Sequence, residues 1–221
     1  MSEDLNYSVI MAVKNGVNFL SEAIESIYAQ TLKPAEILVI DDHSTDSTKE
    51  LLRKSYPDVW VLNNEGDGQV SAINLGIKRA KYEFVAFLDH DDLWVRNKQE
   101  IQLNLLAENN ELESITSGVI NFSPQGSSRE LGAARVFGAT SFRKSAFSKY
   151  GFLDESIAHH GIIEWWLRAE RQGINLAKHA DVGLMRRVHS SNSGTVNKSA
   201  SRTDLFSILR KQISVEGQNE T

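Results

Sequence analysis

The chain has 221 residues, 41% of them hydrophobic and 24% charged, which suits one globular domain with a sizeable core and excludes a disordered or fibrous protein. Its net charge of −5 lacks the basic footprint of nucleic-acid binding, and the absence of cysteine excludes disulfides and thiolate metal sites, as suits a reducing cytosol. No apolar run approaches the roughly 20 residues of a membrane span, and Met1-Ser2-Glu3-Asp4 is acidic where a signal peptide would be basic, so the expectation is a soluble, cytoplasmic protein, with association at the inner face of a membrane left open.

The first half alternates strand and helix. Val9-Ile10-Met11-Ala12-Val13 reads as a buried strand. Phe19, Leu20, Ala23, Ile24, Ile27 and Tyr28 follow at helical spacing, with Asn18 placed to cap. Ile37 to Ile40 is a second buried strand and ends in Asp41-Asp42. Ser47 and Glu50 have capping-box spacing and open a helix through Leu51 and Leu52. Val59 to Leu62 is a third strand. Asn64-Glu65-Gly66 reads as a plain turn before a helix with Val70, Ile73 and Ile77 on one stripe. Phe84 to Leu88 is the fourth strand and ends in Asp89-His90-Asp91-Asp92. Farther on, Ile101 and Leu105 suit a helix, Ser114 to Phe122 suits a strand, Ser123 to Ser128 reads as a polar loop, and Ile162, Ile163, Trp166 and Leu167 share the apolar face of a last helix. The tail from about Gly194 carries a helical pattern around Leu205 to Ile213.

Strands joined by single helices predict right-handed crossovers and a mostly parallel α/β sheet, with ligands beyond the carboxyl ends of the strands. Both acidic clusters fall at such ends. Carboxylates gathered there repel one another unless a cation compensates, so Asp89, Asp91 and Asp92 point to Mg²⁺ or Mn²⁺ held by oxygen ligands. Asp46 reads as a helix cap and nothing more.

Ser8 to Gly16, Ile40-Asp41-Asp42-His43-Ser44-Thr45-Asp46, Ser71 to Ile77, Phe87 to Trp94, Gly151 to Ser156, Trp166-Leu167-Arg168 and Arg187-Val188-His189 resemble, in order, the segments of family 2 glycosyltransferases. The resemblance implies a single GT-A domain over 1–221: a nucleotide- and metal-binding half to about residue 95, an acceptor half to about 193, and a tail. It implies Asp42 on the donor base with Ala12 and Asn15 in the same wall, Asp89 and Asp91 at the metal and the donor, and His189 as a further metal ligand or diphosphate contact. The implied reaction is metal-assisted, inverting transfer of a sugar from a UDP-sugar to a hydroxyl of a glycan or lipid-linked acceptor, in polysaccharide synthesis at the cell envelope. Oligomeric state stays open.

The pattern breaks where the family carries its Glu-Asp base pair, because Gly161 and Ile162 occupy those positions and neither accepts a proton. His160 and Glu164 are the nearest substitutes, with His159 beside them. A helix N-terminus disfavours a cation and so suits His160 as acceptor of a proton. Glu164 lies about 200° round the helix from Ile162, in i,i+4 register with Arg168, and reads as half of a surface ion pair. The alternative is a nucleotide-sugar-binding or regulatory module without catalysis. Lys14 is a second departure, standing where the family often has an aromatic residue near the base. Tyr150, Trp165 and Trp166 could face a sugar acceptor or fill the core.

Overall fold

Seven consecutive buried residues, Tyr7–Val13, form β1, and six more, Glu36–Asp41, form β2. A strand with both faces covered has to be apolar throughout, which is why these two read as unbroken runs. β3 (Trp60–Asn63) and β4 (Phe84–Phe87) complete a parallel set with helices α1 (Leu20–Tyr28), α2 (Thr48–Ser55) and α3 (Gly68–Arg79) as crossovers. The computed structural model describes residues 5–123, 128–133, 135–158 and 160–189. The tail helix pattern, His159 and residues 124–127 of the polar loop lie outside them.

Beyond β4 come β5 (Leu93–Trp94), α4 (Lys98–Glu108), β6 (Ser114–Phe122), β7 (Ser128–Ala133), a 3₁₀ turn at Phe137–Ala139, β8 (Thr140–Arg143), α5 (Ser145–Lys149), α6 (Gly161–Arg171) and β9 (Leu176–Arg187). All nine strands among the described residues join one sheet in the order β3-β2-β1-β4-β8-β6-β9-β5, with β7 paired to β6. The expected parallel pairing holds for the first four strands. The second half is mixed: β8 runs antiparallel to β4 and β6, while β9 runs parallel to β6 and antiparallel to β5.

Apolar clusters cover both faces. One gathers Val9, Met11, Val39, Ile24, Ile27 and Leu52 under α1 and α2. The other gathers Ile10, Leu38, Ile40, Ile73, Ile77 and the rings of Phe87, Phe137, Phe142, Phe147, Trp165 and Trp166. Burying each such side chain contributes about 1.5–3 kcal/mol. Trp165, Trp166 and Tyr150 are at most 3% exposed, so they are core and present no aromatic surface to a ligand.

Local expectations need four corrections. Neither Asn18 nor Ser47 caps a helix through its side chain; α1 begins after Phe19 on a turn whose N–H groups reach the Gly16 carbonyl. Asp46 does the capping for α2, accepting from Thr48 N at 3.0 Å, and its other oxygen accepts from Val17 N at 3.3 Å, which ties the helix to the loop after β1. Ile101 and Leu105 do lie in a helix, α4, whose inner face is Lys98, Gln99, Gln102, Leu103 and Leu106. In α6 the inner face is Gly161, Trp165, Trp166 and Ala169, with Ile163 left 43% exposed.

Candidate active site

The carboxyl ends of β1, β2 and β4 meet at one edge of the parallel set. Asp42 follows β2 there, with its N–H donating to the Val13 carbonyl at 2.7 Å. Its Oδ1 accepts from Asn64 Nδ2 at 2.8 Å and from Gly68 N at 2.9 Å, and Lys14 Nζ stands 3.4 Å from Oδ2. Burial alone would raise this carboxyl, but the Asn64 and Gly68 donors and the Lys14 ammonium outweigh it and hold it below the usual range, ready as an ionised acceptor. Ala12 sits beside it in β1, 8% exposed. Asn15, at φ 53°, turns its side-chain oxygen to Thr45 N at 2.8 Å and Asp46 N at 3.3 Å, so that it moulds the turn after Asp42.

The second acidic cluster follows β4. Asp89 is half-buried and accepts from Gln69 Nε2 at 2.9 Å; burial and the Asp91 charge raise its carboxyl. Burial and the charges of Asp89 and Asp91 raise Asp92 as well, whose oxygen accepts from Arg187 N at 2.8 Å. His90 packs its ring toward Gly16 and bonds to the Ala12 backbone, and burial pushes the ring down. Asp91 meets His189 from far along the chain, Oδ2 to Nε2 at 2.9 Å, both side chains largely covered (15% and 14% exposed). The His189 ring lies 4.7 Å from that of Phe19.

Arg187 fixes this meeting. Its guanidinium donates to the Asp91 carbonyl at 2.9 Å and to Glu22 at 2.8 Å, between the rings of Phe19 and Phe122. Sequence reasoning quoted Arg187 within a motif without giving it a role. It also took Asn64 for part of a plain turn, whereas Asn64 is 4% exposed and props the Asp42 carboxylate. The available signal was position, since Asn64 follows β3, the strand paired with β2, just as Asp42 follows β2.

The base candidates fare differently. Glu164 gives both oxygens to Arg168, at 2.9 and 3.0 Å, with side chains only 14% and 20% exposed, so the expected surface pair is a largely buried one. Arg168 also donates to the carbonyls of Tyr150 and Phe152, bracing the loop before α6. His160 is the N-cap residue of α6. A Cβ on Gly161 would lie 2.6 Å from Val70 Cγ2, so α6 approaches α3 too closely for a side chain where the family resemblance places a Glu. Among the described residues, no group of three or more His, Asp or Glu has a geometry to hold a metal by itself, and no helix is long and apolar enough to cross a membrane.

Residues 8–155 match the family model described as glycosyl transferase family 2. A Rickettsia felis protein named as an uncharacterized glycosyltransferase is 46% identical over 116 residues, 52% of this chain and 19% of the relative. One from Rickettsia prowazekii is 31% identical over 233 residues, 95% of this chain and 73% of the relative. An Escherichia coli protein named UDP-Glc:alpha-D-GlcNAc-diphosphoundecaprenol beta-1,3-glucosyltransferase is 38% identical over 110 residues, 49% of this chain and 44% of the relative. The match thus spans about a fifth of the first relatives' length. Among solved structures, Staphylococcus aureus TarS in complex with UDP-GlcNAc superposes with a TM-score of 0.75 at 16% identity, covering 92% of this chain and 65% of that one. TarS in complex with UDP gives 0.73 at 17%, covering 93% and 63%. At such identity the likeness carries the fold, a GT-A-type α/β domain.

Proposed function

The chain belongs to glycosyl transferase family 2, and on that footing we propose that it transfers a sugar from a UDP-linked donor to a hydroxyl of a glycan or lipid-linked acceptor, with inversion at the anomeric carbon. The observation that carries the reading is the Asp91–His189 contact at the same sheet edge as Asp42: residues 98 apart in the chain meet at 2.9 Å where an α/β sheet binds its ligand. The UDP and UDP-GlcNAc bound in TarS, and the UDP-Glc donor and lipid diphosphate acceptor in the name of the Escherichia coli relative, support the donor and acceptor classes.

In this reading Asp42, held ionised, accepts a hydrogen bond from the base. Asp91 and His189 offer one oxygen and one nitrogen, a donor set that fits Mg²⁺ or Mn²⁺ completed by phosphate oxygens and water rather than a cage of protein ligands. The raised carboxyls of Asp89 and Asp92 fit too: burial raises them first and the charges of neighbouring carboxylates add to it, and a cation would relieve that second cause. Such an ion, when bound, neutralises charge that grows on the departing diphosphate. The acceptor oxygen forms its bond to the anomeric carbon, the bond to the diphosphate breaks with its electron pair leaving on UDP, and the acceptor proton passes to a base. With Glu164 committed to Arg168, His160 at the start of α6 is the residue assigned that task.

A second reading has a specific observation behind it. Val70 leaves no room for a side chain at Gly161, and Ile162 is apolar, so the chain could bind the donor without transferring it. Calorimetric titration of UDP with Mn²⁺, followed by an assay for donor turnover, separates the two. We expect metal-dependent UDP binding that Asp91→Asn lowers at least tenfold, and turnover that His160→Ala removes. Wild-type binding in Asp91→Asn would sink the assigned metal site. UDP binding without turnover on any acceptor would leave the module.

A further inference from the structure

Asp42 divides its two oxygens between different tasks. Oδ1 accepts from the Asn64 amide at 2.8 Å and the Gly68 N–H at 2.9 Å, and those two bonds fill its acceptor directions. Oδ2 faces Lys14, whose ammonium stands 3.4 Å away. The Asp42 side chain is 6% exposed and that of Lys14 is 57%, so the lysine reaches in from solvent over a carboxylate set into the wall. An ionised acceptor and a cationic donor therefore stand side by side at the mouth of the site.

An aromatic residue at position 14 would stack on any base, because every base has a π face. A cation beside a carboxylate instead reads the hydrogen-bonding edge. We infer that Lys14 is a specificity-determining residue of the donor site, selecting a nucleobase that presents an N–H beside a carbonyl oxygen, as the imide of uracil or thymine and the lactam of guanine do. The N–H bonds to Asp42 Oδ2 and the carbonyl accepts from Lys14 Nζ, both charge-assisted. Held in the same pose, cytosine and adenine put a ring-nitrogen acceptor against Asp42 Oδ2 and an exocyclic amine against Lys14 Nζ, so that neither hydrogen bond forms. This inference rests on the nucleotide-donor reading given above. A lysine that served only to neutralise Asp42 would act on all nucleotides alike.

The test is calorimetric titration of UDP and CDP, each with Mn²⁺, into the wild type, Lys14→Met and Lys14→Arg, with folding of each checked by circular dichroism. Expected is a wild type that prefers UDP, a Lys14→Met variant in which UDP weakens about tenfold and CDP little, and a Lys14→Arg variant that keeps the preference. An unchanged UDP-to-CDP ratio in Lys14→Met, or a wild type that prefers CDP, overturns the assignment while leaving the donor reading intact. Failure of both nucleotides to bind the folded wild type overturns the donor reading and this inference with it.

Discussion

Lys98 is the residue whose placement is hardest to reconcile with its chemistry. It is 1% exposed, and among the described residues its ammonium nitrogen donates to Gln102 Oε1 at 2.8 Å and stands 4.6 Å from the Trp94 ring, both neutral groups. Burial holds it well below the usual lysine range. The unfolded chain therefore binds a proton that the fold does not, and stability rises with pH from the folded value up to about 10.5. Lys98→Met fills a similar volume without the penalty, so its melting temperature should exceed that of the wild type and its stability should lose part of the pH slope between about 7 and 9. Equal slopes in the two proteins would mean the amine is already charged in the fold. Sequence could not have found this residue, because a lysine in a helix reads as solvated. Asp42 and Asp91 stand out in the sequence for the opposite reason, since carboxylates at the end of an apolar run have few structural uses, whereas His189 enters only through its family-like motif.

At the scale of elements, legibility followed burial. β1, β2 and β4 are covered on both faces and appear as continuous apolar runs, whereas β8 (Thr-Ser-Phe-Arg) and β9, with Lys178, His179 and Asp181 in its middle, carry no period to read. β9 also shifts register against β6, which breaks alternation outright. The face of α6 was misread because its inner stripe begins with a glycine. Gly161 is not an empty position but a contact, as the close approach to Val70 requires. Gly161→Ala should therefore destabilise by about 1–3 kcal/mol as α6 is pushed from α3. Val70→Ala in the same chain should recover part of that loss, a coupling that chemical denaturation of the double-mutant cycle would detect. Additive effects would show that the helices already yield at this point. The same packing explains why the family's acidic pair cannot simply be restored here by substitution at 161.

For the molecule as a whole, the site exists only because the last described strand returns to the first helix. β1, β2 and β4 place Asp42 and Asp91 at one edge by local crossovers, but His189 arrives on the end of a strand paired at β6 and β5. Arg187 joins these parts, bonding α1 through Glu22 and the acidic loop through the Asp91 carbonyl while its plane lies against Phe19 and Phe122. Truncation to Arg187→Met keeps the backbone bond to Asp92 but releases the guanidinium contacts, at a cost of about 1.5–3 kcal/mol. The consequence for ligand binding can be separated from that for stability. A ligand that binds only the folded state adds about 2.7 kcal/mol at a hundred times its dissociation constant. UDP with Mn²⁺ should thus raise the wild-type melting temperature, and should raise that of Arg187→Met by much less, because His189 is no longer held against Asp91. A variant that melts earlier yet gains the full ligand-induced increase would show that the β9 backbone alone sets the histidine, and that the guanidinium serves the fold rather than the site.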